Sequence, residues 1–358
     1  MSRWQRRAAR WAVQQARRRI DARPGLRDLV YDGANGALFT DLQMHEMMVA
    51  DDVRVSTYAA GIARHVRPGD VVVDVGTGTG ILAMLAARQG ATVHAVDHSP
   101  FIEVAERLAR ANGIDTITFH RTNSRDLDLG APVDVILHEQ MGEGLFEENL
   151  VVNLLDLKQR LLRPGGRILP ARFGVALEPV SLHPDHRVPE LWRQEVAGLR
   201  FDVLRDDPAL DDYRRTGYGN RLDASLRHAI DSHRCEPEPL LTLDLDELTS
   251  PDAVPTTRTV ERTVTRAGRL DGFCLSFVTR FDDEIGFDTS PRARHTHWRS
   301  RLFRADGRHL EAGDQLRYTV DLHELIKPHT WQVHVEDAPV ASPAPPAAPR
   351  AVQAAPTL

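Results

Sequence analysis

The pattern of apolar and polar positions divides the chain into stretches of different texture. Short β-branched runs at Val71–Val75, Thr92–Val96, Ile117–Phe119 and Val133–Leu137 alternate with stretches of helical spacing that are rich in Ala, Leu and Arg. Alternation of strand and helix predicts a parallel sheet with helices on its faces. We therefore predict an α/β, Rossmann-like domain, which we place at residues 31–170.

Two flanking segments extend this predicted domain. Before the first strand, "LQMHEMMVADDVRVSTYAAGIARHV" has apolar residues at helical spacing and predicts one helical segment. After the fourth strand, "LLDLKQRLLRPGGRILPARF" predicts a helix, a Pro-Gly-Gly turn and a further strand.

From about Phe173 the texture changes to strand-like runs joined by polar turns. The runs are "GVALEPVSL", "LLTLDL", "RTVERTVTR", "FCLSFVTRF", "RSRLFRA", "QLRYTVDLH" and "TWQVHVE". They predict a second, antiparallel β domain over residues 171–336. The stretch from Pro184 to Arg234 interrupts it with helical character, and an insertion that long is seldom an idle loop.

The two ends of the chain differ from these domains. Residues 1–30 are rich in Arg and predict a basic amphipathic helix, which either contacts an acidic partner, RNA or anionic lipid, or packs its Trp side on the protein. Residues 337–358 are rich in Pro and Ala and are predicted to be disordered.

Composition excludes several classes of protein. The formal net charge of -6 gives no strong nucleic-acid signal, and no apolar run approaches the length of a membrane span. The two cysteines, Cys235 and Cys274, have no metal-type spacing. We therefore predict no disulfide framework, no metal site and a reducing, cytoplasmic location.

A glycine-rich turn follows the first predicted strand in "VVVDVGTGTGIL". Asp74 ends the strand, and Gly76, Gly78 and Gly80 let the backbone approach a ligand without Cβ clashes. Such a turn also occurs without a ligand. Its spacing lacks the third glycine of the dinucleotide fingerprint, which disfavours a nicotinamide oxidoreductase.

Polar residues after the next two strands add to this turn. Asp97 ends the second strand, where a carboxylate can accept from both hydroxyls of a ribose, and Asn123 and Ser124 follow the third, within reach of an adenine edge. Together they resemble the nucleoside half of an S-adenosylmethionine site in a class I methyltransferase. The carboxylate of that cofactor needs a cation, for which Arg54 is the candidate; the alternative is a surface salt bridge from Arg54 to Asp51.

Four glutamates crowd the stretch "HEQMGEGLFEEN" after the fourth strand, namely Glu139, Glu143, Glu147 and Glu148. Like charges this close need water or a cation between them. The strand delivers the first of them to the carboxyl edge of the sheet, where open α/β sheets bind their ligands. We expect Glu147 to be a solvated neighbour.

Over roughly residues 31–335 the chain resembles the protein arginine methyltransferases. The motifs that carry the resemblance, in the family's order, are the helix "HEMMVADDVR", the glycine-rich turn, the double-glutamate loop in "HEQMGEGLFEENL" and the Thr-His-Trp motif in "FDTSPRARHTHWRS". The segment "LWRQEVAGLRFDVLRDDPALDDYRRTGY" resembles the start of the family's dimerisation arm. The resemblance implies a class I methyltransferase domain, a β-barrel, S-adenosylmethionine as cofactor and a homodimer formed through an arm at about residues 185–234.

The resemblance also implies roles for single residues. Glu139 and Glu148 would grip a guanidinium, whose planar N–H donors suit two carboxylates, by charge-assisted hydrogen bonds. His297 would accept or relay a proton or orient the glutamates; the alternative is a structural histidine. Trp298 and Thr296 would pack beside the loop.

Three further residues complete the predicted site. Met48 would border the transferred methyl, unless it is a core methionine, and His45 would contact the cofactor. Glu143 stands where the family commonly has an aromatic residue and would make the mouth of the site more acidic.

The acceptor stays open at this point. An arginine in a protein or peptide is the first prediction, and free arginine or another small guanidine is the second. A non-catalytic module that keeps the cofactor pocket is disfavoured because Glu139 and Glu148 are both present.

Overall fold

A computed structural model describes residues 41–187, 195–204, 221–224, 226–305, 307–322 and 324–336. The predictions for residues 1–30 and 337–358 lie outside these ranges. Within them, no helix is long and apolar enough to cross a lipid bilayer.

The first domain is built on a parallel sheet. Its strands are β1 (Val71–Val75), β2 (Thr92–Asp97), β3 (Ile117–Arg121), β4 (Val133–His138) and β5 (Leu162–Leu169). They lie in the order β3-β2-β1-β4-β5, and each neighbouring pair is parallel. The helices are α1 (Leu42–Ala50), α2 (Asp52–His65), α3 (Ile81–Ala87), α4 (Phe101–Ala111) and α5 (Leu150–Leu161). The predicted Rossmann-like sheet is confirmed.

The helical segment before β1 is two helices, so the prediction of one helix was wrong. Asp51 has extended backbone (φ -72°, ψ 93°), which ends α1, and its Oδ1 accepts a hydrogen bond from the Arg54 N–H at 3.0 Å. An aspartate in this position caps the first turn of the following helix. The break turns the start of α2 toward the second domain.

The Pro-Gly-Gly sequence is not a separate turn, contrary to our expectation. Residues 164–166 lie within β5, and the register between β4 and β5 shifts between Val133 and Val135. The extra residues are therefore absorbed as an irregularity of the ladder, in the manner of a β-bulge.

The second domain is an antiparallel half-barrel, as the sequence predicted. Its longest strands are β6 (Arg172–Leu182) and β14 (Gly272–Arg280). The other strands are β7 (Glu195–Val196), β8 (Leu199–Arg200), β9 (Arg221–Ala224), β10 (Ile230–His233), β11 (Pro239–Asp244), β12 (Thr257–Thr263), β13 (Gly268–Arg269), β15 (Gly286–Asp288), β16 (Ser300–Arg304), β17 (His309–Leu310), β18 (Gln315–Asp321) and β19 (Gln332–Val335).

Two antiparallel sheets of this domain pack on each other. One runs β10-β6-β14-β16-β9, with β11 also paired to β6 and β15 to β14, and the other runs β12-β18-β19. Tyr318 of β18 contacts Phe273 of β14 with tilted rings, at 4.7 Å between ring centroids, and its hydroxyl donates to the carbonyl of Leu177 at 3.1 Å. Most buried apolar residues of both domains form one continuous core, and a smaller separate cluster that includes Val180 and Leu302 lies on the half-barrel sheet.

The predicted arm at residues 185–234 is described in part. Strands β7 and β8 form a hairpin there, and Val196, Leu199 and Val203 are exposed apolar residues. Strands β9 and β10 lie in the same range but pair with β16 and β6. The last part of the range therefore belongs to the half-barrel sheet; the arm itself stays a prediction.

Candidate active site

The carboxyl ends of the parallel strands border a cavity that helix α1 and the start of α2 also line. The predicted site residues that line it are His45, Met48, Arg54, Gly76, Gly78, Asp97, Asn123, Ser124, Glu139 and Glu148. Residues that sequence reasoning had not singled out also line it, among them Thr77, Thr79, His98 and Asn153. The loop after each of the first four strands therefore contributes to one site.

The glycine-rich turn leaves room for a ligand and is held from outside. A Cβ added at Gly76 would meet nothing within 4 Å, and one at Gly78 (φ +53°) would lie 3.0 Å from Cε1 of His45. The Gly78 N–H donates to Oδ2 of Asp97 at 2.9 Å. His45 is buried and stacks on Phe101 at 3.7 Å between ring centroids.

Asp74 and Gly80 lie behind this turn, outside the cavity lining. Oδ2 of Asp74 accepts from the Thr77 hydroxyl at 2.6 Å and from the Ala83 N–H at 3.1 Å. Burial raises the pKa of Asp74 to about 7, against these hydrogen bonds. A Cβ at Gly80 would lie 2.9 Å from that of Ala105. These two residues would shape the turn rather than contact a cofactor.

The segment after β3 is fixed by its own hydrogen bonds. Oδ1 of Asn123 accepts from the Arg125 N–H at 3.0 Å, and the carbonyl of Ser124 accepts from Arg160 at 2.9 Å. Arg160 is held by Asp156 one turn earlier in α5. Asn123 and Ser124 thus have defined positions in the lining of the cavity.

Arg54 joins the cavity to the double-glutamate loop (Glu139–Glu148). Its guanidinium donates to Oε2 of Glu139 at 2.7 Å and to the carbonyl of Met48 at 2.9 Å. The two side chains of this ion pair are only 6% and 12% exposed. Burial lowers the pKa of Arg54, but Glu139 outweighs burial and raises it. The alternative of a surface salt bridge to Asp51 is wrong.

Glu148 pairs with no cation in the described ranges. Among the described residues, no hydrogen bond to its carboxylate is found, and burial raises its pKa well above the usual range, with Glu139 and Glu147 adding to the effect. A half-buried carboxylate whose pKa is raised in this way gains most from a positively charged partner. The double-glutamate loop is therefore one cation short at Glu148.

The other two glutamates of the loop are engaged. Both oxygens of Glu147 accept from the Gly144 N–H, at 2.9 and 3.0 Å, so the expectation of a solvated side chain was wrong. Glu143 lies 3.5 Å from a guanidinium nitrogen of Arg301 on β16. Its charge is compensated, and the expected acidity of the mouth is correspondingly reduced.

The Thr-His-Trp segment brings a histidine onto the cap of α2. Oδ2 of Asp51 accepts from the backbone N–H of His297 at 2.8 Å and lies 2.9 Å from its Nδ1. Burial raises the pKa of Asp51, but the hydrogen bonds from His297 and Arg54 outweigh it and lower the pKa. A ring that donates from Nδ1 to a carboxylate keeps Nε2 to accept a proton.

Trp298 and Thr296 are both buried, and Trp298 contacts the double-glutamate loop. The indole N–H of Trp298 donates to the carbonyl of Met141 at 2.8 Å, in the middle of the double-glutamate loop. The indole also stacks on Phe287 at 5.1 Å between ring centroids. The half-barrel thereby fixes the conformation of a loop that the parallel sheet supplies.

Sequence reasoning missed two residues that position Glu139 and His297. His138 is fully buried, its Nε2 lies 2.8 Å from the carbonyl of Pro170, and burial lowers its pKa to about 4. Asp51, described above, could have been found from the sequence, because an aspartate pair inside a helical pattern is typical of a helix start. No sequence signal identifies the partner of His138.

Comparisons with known proteins agree with this geometry. Residues 72–166 match the family model of a methyltransferase domain, and residues 222–336 match that of the arginine methyltransferase oligomerization subdomain. Protein arginine N-methyltransferase 1 of Schizosaccharomyces pombe is 30% identical over 77% of this chain and 81% of its own length. Protein arginine N-methyltransferase 6 of Danio rerio is 28% identical over 75% and 78%.

Solved structures share the fold. The Trypanosoma brucei PRMT1 enzyme–prozyme heterotetrameric complex with AdoHcy has a TM-score of 0.72 at 22% identity, covering 85% of this chain and 96% of that one. A crystal structure of PRMT6 with SAH has a TM-score of 0.65 at 24% identity, covering 83% and 100%.

Proposed function

The chain belongs to the protein arginine N-methyltransferase family, and from that premise we propose that it transfers a methyl group from S-adenosylmethionine to a guanidine nitrogen of arginine in a protein or peptide. The observation that carries the proposal is Glu148. Its carboxylate is half-buried and has no cation among the described residues, and it lines the same cavity as the glycine-rich turn, together with a Glu139 that Arg54 already holds.

The residues around the cavity fit S-adenosylmethionine. The space beside Gly76 lets a ligand contact the backbone of the glycine-rich turn, and Asp97 offers carboxylate oxygens to ribose hydroxyls. Asn123 and Ser124 lie where an adenine edge would be contacted, and Arg54 supplies the cation for the cofactor carboxylate. When bound, this cofactor supplies a methyl group on a sulfonium.

The double-glutamate loop would bind and orient the acceptor. Glu148 binds one side of the guanidinium and Glu139 the other, so that charge is drawn to two nitrogens and the third is left more like a neutral amine. Holding that nitrogen in line with the methyl makes the displacement effectively intramolecular, which is worth about 7–11 kcal/mol at best.

One proton must leave the methylated nitrogen. The candidate acceptors are the glutamates themselves and Nε2 of His297, which lies outside the cavity lining and whose ring is oriented by Asp51. Trp298 holds the loop through Met141 and covers it with an indole ring, which keeps water from the ion pairs.

The proposal is tested in two separate reactions with isotopically labelled S-adenosylmethionine, one containing an arginine-rich peptide and the other free arginine. The products are analysed by hydrolysis and mass spectrometry. We expect labelled methylarginine from the peptide. Label in free arginine alone would transfer the proposal to small guanidines, and label in neither would refute it. Titration with S-adenosylhomocysteine tests the cofactor site separately.

We propose further that the chain forms homodimers through its arm. Support comes from the match to the oligomerization subdomain and from the exposed Val196, Leu199 and Val203 on and after the β7–β8 hairpin. Leu199→Asp together with Val203→Asp should convert dimers to monomers in light scattering. An unchanged mass would show that this hairpin is not the contact. A cytoplasmic location stays a prediction.

A further inference from the structure

The charges of the double-glutamate loop are balanced by arginines from outside it. Four carboxylates lie within ten positions, and in the part of the chain that the structure describes two arginines contact them: Arg54 from α2 at one end and Arg301 from β16 in the middle. The acceptor guanidinium would be the third cation. Arg54 has a place in the proposed function; Arg301 has none so far.

Arg301 lies on the inner side of β16 and is only 8% exposed. Its strand neighbour Leu302 belongs to a separate apolar cluster on the opposite side of the sheet, as alternation along a strand requires. A guanidinium buried to this extent needs anionic partners. Glu143 provides one at 3.5 Å.

The field of Arg301 reaches a second carboxylate. Burial raises the pKa of Glu147, the Gly144 N–H lowers it, Arg301 lowers it further, and Glu143 raises it. Glu147 directly precedes Glu148, and its charge in turn opposes ionisation of Glu148.

We propose that Arg301 is a positioning residue that neutralises Glu143 and Glu147. Of these two carboxylates and Glu148, only Glu148 then binds the acceptor guanidinium. The inference rests on the proposed function and names a determinant of it. Without Arg301, Glu143 and Glu147 would compete with Glu148 for the acceptor. A guanidinium bound to them would sit out of line with the methyl, so acceptor affinity would be kept while turnover fell.

The test compares Arg301→Met, Glu143→Gln and the double variant in the full-length chain. Arg301→Lys serves as the conservative variant, and Arg172→Met, which breaks a more exposed ion pair with Asp283 in the same sheet, is the matched control. With saturating cofactor, we expect Arg301→Met to lower kcat for an arginine peptide about tenfold or more with KM unchanged or lower. Removing Glu143 as well should restore kcat to within about threefold.

A second readout does not need activity. In Arg301→Met the pKa of Glu147 rises further in the folded state, because the cation that lowers it is gone. The folded chain then holds a proton that the unfolded chain has lost, so the stability of the variant falls as pH increases. The charged groups that act on Glu147 besides Arg301 are Glu143 and Glu148, and the variant keeps both. The loss of melting temperature relative to wild type should therefore be larger at about pH 7.5 than at about pH 4.5, and Glu143→Gln should reduce the difference.

Three results would overturn the inference: kcat and KM of Arg301→Met within twofold of wild type, a loss of kcat that Glu143→Gln does not relieve, or a melting-temperature loss equal at both pH values. If wild type methylates neither acceptor, the proposed function fails, and the pH dependence of melting still decides the role of Arg301. Should Arg301→Met not fold, Arg301→Lys with and without Glu143→Gln is compared in the same way.

Discussion

Replacing Glu148 with Gln separates the effect of this carboxylate on the stability of the fold from its role in turnover. The substitution keeps the size of the side chain and removes its charge. Because no hydrogen bond to this carboxylate is found among the described residues, no partner in the resting enzyme loses an ion pair. The effect on the fold and the effect on catalysis should therefore have opposite signs.

The catalytic loss can be bounded from the geometry. With Gln at this position the acceptor guanidinium enters a buried site with one carboxylate missing. Removing one partner of a buried charge pair costs about 2–5 kcal/mol, which is about 30- to 5,000-fold in kcat/KM. We expect most of the loss in kcat, because the grip that orients the guanidinium tightens in the transition state.

The effect on stability follows from the raised pKa of Glu148. Between the unfolded pKa and the folded one, the native chain binds a proton that the unfolded chain has released, so wild-type stability falls as pH rises through this window. Glu148→Gln removes that dependence. The variant should melt higher than wild type at neutral pH, and the difference should vanish near pH 4.5.

Glu139→Gln is the matched comparison. It takes the charge from a buried pair with Arg54, so it should destabilise the fold, by about 1.5–3 kcal/mol, and weaken binding of S-adenosylhomocysteine. Circular dichroism melts from about pH 4.5 to 8 and isothermal titration measure both quantities. A Glu148→Gln variant that melts lower than wild type at neutral pH, or that keeps turnover within threefold, would refute the reasoning.

Two further substitutions test the supports of the site. Asp51→Asn keeps a helix cap but replaces the carboxylate that accepts from the N–H of His297 with an amide. We expect a loss of about 1–3 kcal/mol in the free energy of unfolding and a lower kcat. Wild-type stability in a urea titration would contradict the assigned hydrogen bonds. Gly78→Ala places a Cβ 3.0 Å from His45, whereas the control Gly113→Ala has a similar positive φ and open space around its Cβ. Only Gly78→Ala should weaken S-adenosylhomocysteine binding, by about tenfold in titration. Equal affinities of the two variants for this ligand would contradict the predicted contact.

The parallel sheet could be predicted closely because its signal is local. Val72, Val73 and Val75 are buried, and a buried β-branched run bounded by polar residues identifies a strand without knowledge of its partners. The same holds for the long strands of the half-barrel. The order in which those strands pair depends on contacts between distant segments and could not be read from the pattern.

Charge pairing in the site was predicted least well, because it depends on tertiary contacts between segments that are distant in the sequence. The sequence marks Glu139, Glu143 and Glu147 as acids in one loop, but the partners of the first two come from α2 and β16. Glu147 folds back on the backbone of its own loop, which depends on the loop conformation. The break at Asp51 was missed because helical spacing on both sides hid a readable cap.

The central claim is that the cation missing from the double-glutamate loop is the guanidinium of the substrate. Mass spectrometry of an arginine peptide after reaction with labelled S-adenosylmethionine tests it most directly, with wild type and Glu148→Gln compared at equal cofactor saturation. We predict the label on a guanidine nitrogen of arginine with wild type and its near absence with the variant. Label on a different side chain, or equal labelling by both proteins, would contradict the claim.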